Sequence, residues 1–258
     1  MKDRIINHLL TDEVSYLSHL KMIEQYGDSI KYSLIEKQNE WALSLLIPTH
    51  VSSFDIAAYP EATYIVYIAA SEENTAQDII NELPIHCSLV FKVGKPMEKR
   101  LITERFTTSF IKAFVSYSSN VSVNNKHQNV MSASVINNAL LPLWFDNGYD
   151  QESIENYFSK GAVSFSVFSG NVPLSTCIIF PSSQNIWEIG AVNTIPSERK
   201  KGYGRLVAGA AVNHILDMKK RPNYQVLYTN LPSIKLAESL GLQKIVTIEH
   251  LYYYGWHR

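Results

Sequence analysis

The sequence predicts an α/β (α+β) protein in two parts: a C-terminal mixed sheet flanked by helices, preceded by an N-terminal α/β domain. Three observations carry this. The 258 residues are 46% hydrophobic and 11% aromatic, enough for one large core or two modest ones, and domains of roughly 100–200 residues favour two. Short β-branched and aromatic runs alternate with segments of helical periodicity. A Ser- and Asn-rich stretch, residues 118–129, is the natural linker, and it sets the expected domains at 1–122 and 123–258.

Residues 3–25 repeat apolar positions every three or four residues (Ile5, Leu9, Val14, Leu17, Leu20), with Gly27 as a stop, so a helix is expected there. Strand-like runs follow at 30–35, 41–47, 64–70 and 88–93. A helix is expected at 72–83, where Ala76, Ile79, Ile80 and Leu83 share a side. Residues 98–114 suit helix or strand. In the second half, 135–144 and 151–158 read as short helices. A hairpin, 163–168 and 174–180, turns on Ser169-Gly170-Asn171. Strand 186–194 and helix 202–218 come next, then strand 225–229, helix 233–240 with Pro232 in its first turn and Gly241 after its end, and strand 244–254.

Composition excludes several classes. Lys+Arg is 23 and Asp+Glu 24, without the basic excess of a dedicated nucleic-acid binder or polybasic membrane binder. No run reaches the ~18–20 apolar residues of a membrane span, and the Met-Lys-Asp-Arg start lacks a signal-peptide stretch. A cytoplasmic protein, monomer or homodimer, is expected. Cys87 and Cys177 make neither a disulfide scaffold nor a zinc site, and the eight histidines show no ligand spacing, so no metal is expected. His214 and His250 read as structural.

The informative segment is Thr194-Ile-Pro-Ser-Glu-Arg-Lys-Lys-Gly-Tyr-Gly-Arg205. A strand enters a glycine loop and an amphipathic helix leaves it. Glycines admit close approach to backbone N–H groups, and a helix N-terminus is partly positive, so the pattern suits a phosphate or pyrophosphate. Arg199, Lys200, Lys201 and Arg205 add cations. A P-loop is absent, and Val207 stands where a dinucleotide fingerprint needs glycine.

Arg199-Lys200-Lys201-Gly202-Tyr203-Gly204 resembles the Arg/Gln-x-x-Gly-x-Gly/Ala signature of the GNAT superfamily of acyl-CoA-dependent N-acyltransferases. Asn230-Leu-Pro-Ser-Ile-Lys-Leu-Ala-Glu-Ser-Leu-Gly-Leu242 resembles its second signature. The likeness spans about 151–254, with some flavour of the glycine N-acyltransferase-like and antibiotic-resistance branches. It implies acetyl-CoA, or another acyl-CoA, as co-substrate. The loop N–H groups of Lys201, Gly202, Tyr203, Gly204 and Arg205 would hold the pyrophosphate. Strand residues Val192, Asn193 and Thr194 would pair with the pantetheine arm and polarise the thioester carbonyl. Asn230 and Ser233 would lie beside that arm, Asn230 also serving catalysis.

The acceptor expected is a small-molecule amine, attacking directly. Glu188, on the strand leading into the motif, is the expected base; Asn230 could also cap a helix. The resemblance expects a tyrosine acid seven residues after Asn230, but that residue is Ala237. Tyr228, Ser233 and Tyr252–Tyr254 are weaker substitutes. A degenerate fold that binds acyl-CoA as a regulator or scaffold is the alternative, and an acyltransferase acting on protein or peptide a third. The N-terminal half is compatible with a second, degenerate GNAT-like half.

Overall fold

The helical periodicity of residues 3–25 folds as two helices, α1 (Lys2–Leu10) and α2 (Leu17–Tyr26). Thr11 Oγ1 donates to the His8 carbonyl at 2.6 Å, and the Ser15 N–H donates to Asp12 Oδ1 at 3.4 Å. Such local bonds compete with helix continuation. The chain continues through β1 (Lys31–Lys37), β2 (Glu40–Pro48), α3 (Ser53–Ala58), β3 (Tyr64–Ala70), α4 (Glu73–Asn81), β4 (Leu89–Val93), α5 (Pro96–Arg105) and β5 (Ser109–Ser118). After it come β6 (Met131–Ala133), α6 (Leu141–Phe145), α7 (Gln151–Ser159), β7 (Val163–Ser169), β8 (Val172–Pro181), β9 (Ile186–Thr194), α8 (Tyr203–Asp217), β10 (Arg221–Leu227), α9 (Leu231–Ser239) and β11 (Gln243–Tyr253).

The computed structural model describes residues 1–124 and 129–255; residues 125–128 of the expected linker lie outside them. The ambiguous stretch 98–114 divides between α5 and β5. Helix α3 carries no strong periodicity; the Ser52 hydroxyl caps it by accepting the Asp55 N–H at 3.1 Å. The helix expected at 135–144 is a 3-10 turn, Asn138–Leu140, followed by α6. The strand expected at 225–229 runs earlier, from Arg221, because Pro222 and Asn223 join the ladder beside β9.

By packing, the chain divides into Met1–Val115 with Val246–Arg258, and Ser116–Ile245. In the first unit the strand order is β1-β2-β3-β4-β11-β5. β1, β2 and β3 are antiparallel, β3 and β4 parallel, and β11 antiparallel to β4. Helices cover both faces. Leu43, Leu45, Ile65 and Tyr67 pack with Ile5, Leu9 and Ile23 of α1 and α2, while Val66, Ile68 and Phe91 pack with Ile79, Ile80, Leu101 and Ile102 of α4 and α5. Two covered faces explain why β3 reads as an almost unbroken apolar run. β11, read from sequence within 123–258, pairs through Glu249 to Tyr253 with β4 of the first unit.

In the second unit the order is β10-β9-β8-β7-β6, with β9 and β10 parallel and the rest antiparallel. Trp144 of α6 and Ile154 of α7 pack on Ile178 and Phe180. Cys177, on the alternate face of the same strand, donates to the Val207 carbonyl of α8 at 3.4 Å. There Val207, Ala211 and Ile215 are wholly buried.

Candidate active site

In the second unit β9 and β10 pair over three positions only, Ile186–Arg221, Trp187–Pro222 and Glu188–Asn223, and then part. A cavity of about 180 Å³ opens beyond the last pair, bounded by 188–192 of β9, 224–227 of β10, Asn230, Ser233, Asn147 and Tyr149. Parted strands offer backbone N–H and C=O groups that an amide-bearing ligand can satisfy. The wall is shaped further by a bulge. β8 pairs Thr176 with Asn193 but Ile178 with Gly190, which leaves one extra residue on β9, and Ala191 takes φ +52°. The Ala191 N–H donates to Tyr149 Oη at 3.1 Å. A Cβ at Gly190 would stand 2.5 Å from that hydroxyl and 2.9 Å from the Phe180 ring, so only glycine lets Tyr149 reach the bulge.

Of the three strand residues expected beside a pantetheine arm, Val192 bounds the cavity. The Asn193 side chain instead donates to the Leu143 carbonyl at 2.8 Å and accepts the Thr194 N–H at 2.9 Å. Thr194 Oγ1 shares a hydrogen bond with Ser175 Oγ at 2.8 Å. These bonds brace the strand, so any ligand role of Asn193 and Thr194 falls on their backbone.

The glycine loop begins where β9 ends. Lys200 and Gly202 both take left-handed backbone, φ +64° and +88°. This conformation costs a non-glycine residue about 1–3 kcal/mol. Gly202 is the N-cap of the 15-residue α8, and no side chain caps it. Gly204 is different: a Cβ there would meet Thr194 Oγ1 at an ordinary 3.5 Å. Arg199 Nε donates to the Thr194 carbonyl at 3.0 Å, Lys201 Nζ to Glu198 at 2.9 Å, and Arg205 Nε to the Ser239 carbonyl at 3.2 Å. The cations therefore also hold the loop's shape.

Asn230 caps α9, its Oδ1 accepting the Ser233 N–H at 3.2 Å, and both residues border the cavity. Glu188 is half-buried on β9 and borders it too; Ser182 Oγ donates to its Oε2 at 2.9 Å. Glu188 and Asn230, far apart in sequence, thus share one chamber.

Residues 145–249 match the family model described as GNAT acetyltransferase. This segment belongs to the GNAT superfamily. GNAT folds also match along nearly the whole chain. An acetyltransferase from the GNAT family of Colwellia psychrerythraea covers 96% of this chain and 97% of its own, at 10% identity and TM-score 0.60. A GCN5-related N-acetyltransferase from Kribbella flavida covers 95% and 96%, at 13% identity and TM-score 0.58. A tandem GNAT protein from the clavulanic acid biosynthesis pathway covers 94% and 88%, at 6% identity and TM-score 0.51. No curated protein matches the sequence.

Within the GNAT segment, Ala237 is wholly buried. Two tyrosines that motif reading missed reach the cavity instead. Burial pushes the Tyr224 hydroxyl up to about 12, while a hydrogen bond with Ser233 pulls the other way. Burial, and next the Glu188 carboxylate, hold Tyr149 above the ordinary tyrosine range. Both stay protonated at neutral pH. Neither lies in a motif; Tyr149 in particular is brought to the bulge from before α7. Of the substitutes read from sequence, Ser233 borders the cavity, and Tyr228 is 45% exposed and does not.

Tyr252–Tyr254 and His250 belong to the first unit, where His250 is buried and bonded to Tyr59 Oη. His214 packs edge-on to Phe165. Burial holds the Cys177 thiol well up, protonated and unsuited to nucleophilic attack. Among the described residues no group of three or more His, Cys, Asp or Glu side chains could hold a metal ion. Nor, among the described residues, is any helix long and apolar enough to cross a membrane.

Proposed function

We propose that the second unit is an N-acetyltransferase that moves an acetyl, or another short acyl, group from acyl-CoA to the primary amine of a small molecule in the cytoplasm. The observation that carries the reading is the cavity where β9 and β10 part, with Glu188 on one strand, Tyr224 on the other and the uncapped start of α8 following β9. The amides of the pantetheine arm would pair with the parted backbone, and the pyrophosphate would sit on the N–H groups at Gly202–Arg205. An amine of pKa about 10.4 reaches the site protonated. Glu188, directly or through water, takes that proton. The nitrogen then attacks the thioester carbon, the oxyanion leans on a backbone N–H of the bulged strand, and the C–S bond breaks.

The leaving thiolate is the conjugate of a thiol with pKa near 8.5. Tyr224, kept protonated by burial, donates a hydrogen bond to it in place of the absent residue at 237. Tyr224→Phe is expected to lower kcat about 10–100-fold, at or below the low end of general-acid effects, with KM for acyl-CoA unchanged in steady-state kinetics. An unchanged kcat would remove Tyr224 from the reaction.

The coenzyme site is tested by thermal unfolding with acetyl-CoA. Binding to the native state at a hundredfold Kd adds about 2.7 kcal/mol, a rise of several degrees. Gly204→Glu is expected to abolish it: position 204 has room for a Cβ, and a carboxylate there suits the helix while repelling a phosphate. Absence of any rise in the folded wild type would defeat the proposal. Ala237 favours one competitor, a coenzyme-binding scaffold without turnover; a thermal rise with no amide product across an amine panel would select it.

A further inference from the structure

Apart from α3, the run of elements from β1 to β5 repeats the run from β7 to β11. β1, β2, β3, α4, β4, α5 and β5 correspond to β7, β8, β9, α8, β10, α9 and β11. In each, three antiparallel strands lead to a parallel fourth, and the parallel pairing is short: Tyr64–Leu89 to Tyr67–Lys92 in the first unit, Ile186–Arg221 to Glu188–Asn223 in the second. The helix after each fourth strand carries a proline in its first turn, Pro96 in α5 and Pro232 in α9. The two halves differ at the point where the parallel strands end.

Two residues after Pro232 stands Ile234; two after Pro96 stands Glu98. Glu98 is 1% exposed. The N–H groups of Lys95 and of Ala70 face its carboxylate and favour its charged form. An approach to Lys95 is the ordinary habit of a Glu at the third helix position. The approach to Ala70 is not, because Ala70 ends β3 and lies beyond the last β3–β4 pair. Glu98 therefore stands between the ends of the two strands, where β9 and β10 leave a cavity. It does so at a cost, since Oε1 is buried without a partner. Beside it Tyr16 is buried, its hydroxyl accepting from Lys95 Nζ.

The anion loop is missing as well. Only Ser71 and Glu72 separate β3 from α4, against eight residues between β9 and α8, 195–202. No residue from 68 to 75 has positive φ. Helix α4 opens with Glu72 and Glu73, and carboxylates at a helix start stabilise it and repel phosphate.

We propose that the first unit is a closed copy of the second: Glu98 stitches β3 to β4, and the chain takes one acyl-CoA, in the second unit alone. The count of one rests on the proposed function; the stitch does not.

The test pairs two measurements on the full chain. Calorimetric titration with acetyl-CoA is expected to give one molecule bound per chain in the wild type and none in Gly204→Glu. Amide hydrogen exchange is expected to find Ala70 protected in the wild type and in Glu98→Gln, whose side-chain oxygen still accepts. In Glu98→Ala exchange at Ala70 should be at least tenfold faster, with Ile68 and Ala191 unchanged as internal controls. Two molecules per chain, or one that survives Gly204→Glu, overturns the single-site inference. No binding to the wild type overturns the proposed function, and the stitch then stands or falls on Ala70. Equal exchange of Ala70 in the wild type and Glu98→Ala overturns the stitch.

Discussion

Glu188→Gln is expected to slow acylation of a primary amine by about 10²–10⁴-fold, the range of general-base effects, while acetyl-CoA binding persists. The substitution keeps an oxygen that can accept from Ser182 Oγ, now at 2.9 Å from the carboxylate, and keeps the side chain's volume at the cavity wall. What it removes is the proton acceptor. Only about one amine in 10³ is unprotonated at pH 7 when its pKa is near 10.4, so the loss should be greatest near neutrality. It should shrink as rising pH supplies free amine without help. Steady-state rates from pH 6.5 to 9.5 at saturating acetyl-CoA make the measurement. A variant as fast as the wild type at pH 7 would release Glu188 from the role of base.

Glu98→Gln is expected to change the pH dependence of stability. Burial raises the Glu98 carboxyl to about 7, from an ordinary 4.5, although Lys95 and two backbone N–H groups oppose the rise. The folded state therefore holds the proton more tightly than the unfolded chain. Below about pH 4.5 both states are protonated and the group costs nothing. As pH climbs from about 4.5 to 7 the wild type loses stability, and above 7 the full penalty is about 3 kcal/mol, from the size of the shift. Gln carries no such penalty, so the variant should match the wild type near pH 4.5 and exceed it at pH 8. His19 and His250, lowered by burial to about 4 and about 3, titrate in both proteins, and the difference isolates Glu98. Urea unfolding at pH 4.5, 6 and 8 would read it; a constant difference would remove Glu98 as the source.

Local features were legible where local chemistry sets them. The unbroken apolar run of β3, the strand at 186–194 and the Gly202 turn follow from side-chain pattern and backbone permissiveness alone, and the structure has them where the pattern puts them. The break at 11–16 depends on Thr11 and Asp12 winning a competition that periodicity does not register. The candidate site was half legible. Glu188 lies on the strand leading into a motif, and Asn230 and the glycine loop lie in motifs. Tyr149 and Tyr224 do not, because what brings them to the cavity is a bulge and a three-pair ladder, both products of pairing between distant segments. Glu98 reads from sequence as an ordinary charge in a helix; its burial follows from the packing of α5 on β3 and β4. The grouping of β11 with β4 escaped a reading that cut the chain once, at a polar stretch.

That grouping has a consequence for how the chain is made. Among the strands of the first unit β11 is an inner one, between β4 and β5, and the unit's other strands lie within the first 118 residues. Ribosomes add about 5–20 residues per second, so synthesis of 116–245 holds this sheet open for on the order of ten seconds. The edge of β4, a continuous Leu-Val-Phe-Lys-Val, is exposed over that interval as a template for wrong pairing. The second unit, whose strands β6 to β10 have all emerged by residue 227, can therefore finish its own pairing before β11 completes the first.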